Sequence, residues 1–100
     1  MADASVAQLQ TYCNNLLGAL VVPTAPLPYT PEDSVNATLC GSIDELATED
    51  GYPTALRAIG LAIQDLLQRL PAACSRYSVM AGHLDGRWTI SISMYTPTQA

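Results

Sequence analysis

The sequence predicts an α+β fold on three observations: two long apolar patterns with helical spacing, a switch to strict alternation after Pro71, and an Asp-Gly pair in the middle of that alternation. The expected layout is a single small domain over 1–100. It has a helix over 4–20, a proline-rich connector over 23–31, one or two short helices within 31–50, a helix over 53–70 and a C-terminal antiparallel β-hairpin over 76–95.

The first helix follows from Val6, Leu9, Cys13, Leu16 and Leu20, each three or four residues after the last, with Leu17 beside them. That spacing draws one apolar stripe along a helix of 3.6 residues per turn. Asp3 or Ser5 is the expected N-cap, with Gln8 in the capping-box position relative to Ser5. Off the stripe lie Gln8, Gln10, Thr11, Asn14 and Asn15, so the wet face is amidic rather than charged.

Pro23, Pro26, Pro28 and Pro31 remove backbone donors and favour an extended path. A strap laid over the domain's own surface is preferred to a ligand for an aromatic groove, because no basic anchor flanks the prolines. Thr30-Pro31-Glu32-Asp33 reads as a helix start, with acids at the positive end of the dipole. Val35 and Leu39 then share a helical face and Gly41 ends it, although the same stretch also alternates as a strand would. Ser42-Ile43-Asp44-Glu45 has the form of a capping box and predicts another short helix ending near Gly51.

Pro53 opens the second long helix, whose stripe is Leu56, Ile59, Ile63, Leu66 and Leu70 with Leu67 alongside. The two long helices thus share one stripe geometry, which suits packing against each other or on a common sheet. Beyond Pro71, Tyr77, Val79, Ala81 and His83 alternate with Ser78, Met80, Gly82 and Leu84. Trp88, Ile90, Ile92 and Met94 alternate with Thr89, Ser91, Ser93 and Tyr95. Asp85-Gly86 suits a two-residue turn that needs positive φ at both positions. With that turn Leu84 pairs with Arg87, His83 with Trp88, Ala81 with Ile90, Val79 with Ile92 and Tyr77 with Met94. A lone two-stranded ribbon is marginal, so its edges invite a further strand from this chain or a neighbour.

Charge is the unusual part of the composition. Asp, Glu, Lys and Arg make up 13% of the chain, against about 25% in average globular proteins. All four basic residues are arginine (Arg57, Arg69, Arg76, Arg87), and the net charge is -5. Such a chain repels phosphate backbones and anionic headgroups, so neither nucleic acid nor membrane is expected as a partner. The N-terminus lacks a basic region, and the apolar run 16–22 is broken by Gly18 and stopped by Pro23. Neither a signal peptide nor a spanning helix is therefore expected, and the expected location is cytoplasmic or within a virion. Cys13, Cys40 and Cys74 have neither disulfide-framework nor Cys-x-x-Cys spacing and read as reduced, mostly buried residues. The Asn36-Ala37-Thr38 glycosylation pattern then goes unused.

No motif names a reaction. His83 is the single histidine, and His83 with Asp85 makes at most two ligands where a metal site needs three or four. Packing against Trp88 explains His83 equally well, and no metal or cofactor is expected. A cysteine or serine nucleophile with His83 as base lacks any local signature. Asp44, Glu45, Glu49 and Asp50 form the one acidic cluster; helix-end electrostatics explains at least two of them, and the sharper reading is a patch for a basic partner.

Leu61 falls opposite the core stripe of its helix, beside Ala58. With the Ser and Thr face of the hairpin, these residues predict contact surfaces: Ala58, Leu61, Thr89, Ser91, Ser93 and Tyr95, together with the proline strap. The expected role is a non-catalytic structural or assembly subunit that self-associates or docks with other protein subunits in a larger complex, for example a virion or shell accessory component. The alternative is a small acidic module or inhibitor that occupies a basic site on a partner through Asp44, Glu45, Glu49 and Asp50. A small enzyme centred on Cys74 or His83 ranks last.

Overall fold

A computed structural model describes residues 2–21, 32–70 and 74–97, with side chains from Val6 onward in the first segment. In chain order the elements are α1 (Ala2–Leu20), β1 (Glu32–Ser42), α2 (Ile43–Leu46), α3 (Gly51–Arg69), β2 (Arg76–Leu84) and β3 (Arg87–Pro97). The fold is α+β, with a three-stranded antiparallel sheet in the order β1-β3-β2. Helix α1 packs mainly on β2 and α3 on β1, and the two helices touch each other.

The hairpin forms in the predicted register, including His83 opposite Trp88 and Tyr77 opposite Met94. Asp85 and Gly86 both take positive φ, 54° and 76°, as the two-residue turn requires. Alternation then gives β3 one fully buried side: Trp88, Ile90, Ile92, Met94 and Thr96 face the helices.

The region 31–50 departs from expectation. Residues 32–42 form a strand, not a short helix, and Glu32 and Asp33 open β1 rather than cap a helix. Val35, Ala37 and Leu39 alternate with Asn36, Thr38 and Cys40, and β1 lies along β3 with Leu39 opposite Ile90, Ala37 opposite Ile92 and Val35 opposite Met94. The tertiary demand decides the outcome: β3 needs a partner on its second edge, and the period-2 pattern places three apolar side chains on its buried face. Ser42 does sit at the N-cap of α2 but makes no side-chain capping bond. It is still in strand geometry, and the next N–H, that of Ile43, donates instead to the Gly86 carbonyl at 2.9 Å.

Helix α3 begins at Gly51, two residues before Pro53, and buries Ala55, Ile59, Ile63 and Leu66, with Leu56, Leu67 and Leu70 half-buried. Helix α1 begins at Ala2, so Asp3 and Ser5 lie within it rather than at its cap. Its buried line is Val6, Leu9, Cys13, Leu17 and Val21, whereas Leu16 is half-buried and Leu20 is 51% exposed. The contact drifts because a helix of 3.6 residues per turn departs from a strict alternation of three and four steps by about 20° every seven residues. The connector 23–31 lies outside the described residues.

Candidate functional site: the outer face of the sheet

Both long helices pack on one side of the sheet, and the other side carries side chains that alternate with the core. These are Ser34, Asn36, Thr38 and Cys40 on β1, Thr89, Ser91, Ser93 and Tyr95 on β3, and Ser78, Met80, Gly82 and Leu84 on β2. Register aligns them in rows across the three strands, such as Asn36–Ser93–Ser78 and Thr38–Ser91–Met80. Thr38 Oγ1 and Ser91 Oγ lie 3.4 Å apart within one row. The middle of the face carries no charge. On its β2 margin Met80 is 71% and Leu84 76% exposed.

Charge is confined to the two ends. At one end Arg76 reaches across β3 to Glu32, with Nε 2.9 Å from Oε2 and Nη2 3.1 Å from Oε1. Its guanidinium lies 3.8 Å from the centre of the Tyr95 ring, so a stacked, bidentate arginine ties the two edge strands together over the central one. The hydrogen bond to Glu32 holds the Arg76 guanidinium above its ordinary pKa, against a smaller opposing effect of desolvation. At the other end Arg87 Nη2 lies 3.6 Å from the Cys40 sulfur.

Of the contact residues expected from sequence, Thr89, Ser91, Ser93 and Tyr95 come together on this face. Ala58 and Leu61 do not join them, because α3 occupies the opposite layer. Leu61 is 60% exposed there, and Ala58 lines a groove of about 310 Å³ with Thr38, Gly41, Leu46, Thr54 and Trp88. Leu84 and the β1 side chains also lie on this face, beyond the contact residues expected from sequence. The sequence signal for β1 is the alternation within 34–40, which competes there with the helix-start pattern Thr30-Pro31-Glu32-Asp33.

Asp44, Glu45, Glu49 and Asp50 are all exposed, the first two in α2 and the others in the turn before α3. Asp50 stands at the N-cap of α3 without a side-chain bond. The capping acceptor is Thr48, whose Oγ1 receives the Gly51 N–H at 3.0 Å and donates to the Glu45 carbonyl at 2.6 Å.

Cys13 and Cys74 are buried, Cys40 is exposed, and all three are free. Cys74 donates to the Arg76 carbonyl at the start of β2, whereas His83 is near its end. Nine residues of extended chain separate them by roughly 30 Å, so they form no nucleophile–base pair. A surface depression of about 580 Å³ at the hairpin end is lined by Cys40, Gly82, His83, Leu84, Asp85 and Arg87, among others. Among the described residues no three His, Cys, Asp or Glu side chains converge as a metal site requires. Among the same residues no helix is long and apolar enough to cross a membrane.

Comparison with protein-family models, with curated proteins and with solved structures found no match to this chain.

Proposed function

We propose that this protein is a non-catalytic structural or assembly subunit that works through contacts with other protein subunits, including copies of itself. The observation that supports this reading is the outer sheet face: three strands wide, uncharged through its middle, and edged by exposed Met80 and Leu84. Interface cores are depleted in lysine and acids while arginine is retained, and the chain has no lysine. A shell or virion accessory component is one role of this kind.

Absolute mass in solution from about 1 µM to about 1 mM tests the proposal, a range that covers weak subunit contacts. The expected result is a mass that rises above 10.6 kDa with concentration and is undiminished in high salt, as apolar contacts are. A strict monomer throughout overturns it. In the alternative reading, a binder of a basic site, the exposed cluster of Asp44, Glu45, Glu49 and Asp50 supplies the contact. That binding weakens in salt and on conversion of the four acids to amides.

A further inference from the structure

We propose that the outer edge of β2 over 77–81, with the flank of α1 above it, pairs with the same strip on a second copy to form a two-fold dimer with a continuous six-stranded sheet. The inference rests on the assembly reading above and names one of its contacts.

The hydrogen-bond phase of the sheet fixes which backbone groups face outward. Ile43 donates to Gly86, and residues along an antiparallel pair alternate between those bonded to the partner and those turned away. Trp88, Ile90, Ile92 and Met94 therefore bond to β1, and Arg87, Thr89, Ser91 and Ser93 bond to β2. On β2 the residues turned away from β3 are Tyr77, Val79, Ala81 and His83, and the first three form the middle of the edge. Among the described residues, no bond to the outward N–H and C=O groups of these three occurs. The same phase turns Asn36 outward on β1, and there Arg69 Nη2 covers the carbonyl at 3.3 Å.

The two edges are thus treated differently. Strand β1 carries Glu32 and Asp33 and the Arg69 cover, the kind of charge that discourages edge pairing. Strand β2 has no proline, and its one formal charge is Arg76 at the end, already engaged by Glu32. Helix α1 continues the neutral strip. Past Asp3 it carries no charged residue to its end at Leu20. Its flank on the β2 side is marked by Gly18, where an added β-carbon would stand 3.6 Å from the Tyr77 hydroxyl. Asn14 lies one turn before Gly18 on that flank and is exposed.

A second copy fits this strip on three counts. Centred on Val79, antiparallel pairing sets Tyr77 against Ala81 of the second copy, large against small, and Arg76 against Gly82, so no like charges meet. A two-fold axis perpendicular to the sheet keeps both helix layers on one side, which brings the two neutral α1 flanks together. The strip is roughly 30 Å long, from nine strand residues and nineteen helix residues, and about 15–20 Å deep. That is on the order of 500–600 Å² per copy, at the lower limit of specific interfaces, so the dimer is expected to dissociate in the micromolar range.

The test uses the whole chain with Thr38→Lys and Thr89→Lys, which charge the outer face from β1 and β3 and leave β2 unchanged. Sedimentation equilibrium is expected to show a dimer, twice 10.6 kDa. Adding Ala81→Pro, which removes an outward N–H that no β3 residue uses, is expected to weaken the dimer at least a hundredfold. Asn14→Lys on the exposed helix flank is expected to weaken it at least tenfold without any route to unfolding the sheet. If wild type associates but the outer-face variant is monomeric, edge pairing is overturned and the assembly reading stands. Dimers that survive both Ala81→Pro and Asn14→Lys also overturn edge pairing. A wild-type monomer at every concentration overturns both proposals.

Discussion

Trp88 lies so close across Gly41 that a β-carbon on the glycine would stand 2.8–2.9 Å from three atoms of the indole. Gly41 faces Trp88 directly in the β1–β3 register, and Trp88 is buried, so the indole must shift from its packed position to admit a side chain there. Gly41→Ala is expected to destabilise by about 1–3 kcal/mol through overpacking. Gly60→Ala is the control: it is helical, and its nearest neighbour, the Tyr12 hydroxyl, is 4.0 Å away. That change is expected to stabilise by roughly 0.5–1 kcal/mol. Urea unfolding of the two variants reads the opposite signs, and equal midpoints would show that the indole moves freely.

The turn at the hairpin end gives a second test of local geometry. Gly86 has φ 76° with no atom within 4 Å of an added β-carbon, so any penalty there is backbone strain rather than a clash. Gly86→Ala is expected to lower stability by about 1–2 kcal/mol, the usual penalty for a left-handed L-residue. Asp85→Asn is expected to change it by less than about 0.5 kcal/mol, since asparagine tolerates the same region. Thermal unfolding of both variants decides it; a fall with Asp85→Asn as large as with Gly86→Ala would show that the carboxylate, not φ, sets the turn.

What the sequence made legible follows how locally each feature is determined. Tyr77 to Tyr95 carries its own turn and alternation, so register could be read to the residue. Residues 32–42 depend on a partner strand 45–65 residues away: Thr30-Pro31-Glu32-Asp33 satisfies local helix rules, but β3 supplies the edge that makes Val35, Ala37 and Leu39 a strand. The same non-locality governs the candidate site. Thr89, Ser91, Ser93 and Tyr95 shared a face by period alone. That Ala58 and Leu61 belong to another layer depended on which side of the sheet α3 packs. Arg76 stacked on Tyr95 and bonded to Glu32 links three strands, and no sequence pattern spans them.

The cysteines separate by environment, which thiol labelling can count. Cys40 is exposed, and Arg87 lies beside its sulfur. Cys13 and Cys74 are buried among core residues, and burial shields a thiol from reagents. In the native protein at pH 8 an aromatic disulfide reagent is expected to modify one thiol rapidly, and Cys40→Ser is expected to abolish that phase. In denaturant all three react. A rapid native reaction that persists in Cys40→Ser would place a second thiol at the surface.

Cys13 also links stability to alkaline pH. It sits on α1 with no exposure to solvent, and desolvation pushes its thiol from the ordinary 9.0 up to about 11. Above about pH 9 the unfolded thiol loses its proton, while the native thiol keeps its own until about pH 11. The unfolded state then binds fewer protons, so this group's contribution to stability falls as pH rises through that window and is level beyond it. The shift corresponds to a loss of up to roughly 2–3 kcal/mol. Tyrosines titrate nearby in pH, so the informative quantity is the difference between wild type and Cys13→Ala in urea midpoints at pH 8 and pH 11. The variant starts less stable, since it leaves a small cavity, and is expected to lose less stability between the two pH values. Parallel losses in the two proteins would show that Cys13 ionises as readily folded as unfolded, and the thiol would then have to be in contact with water.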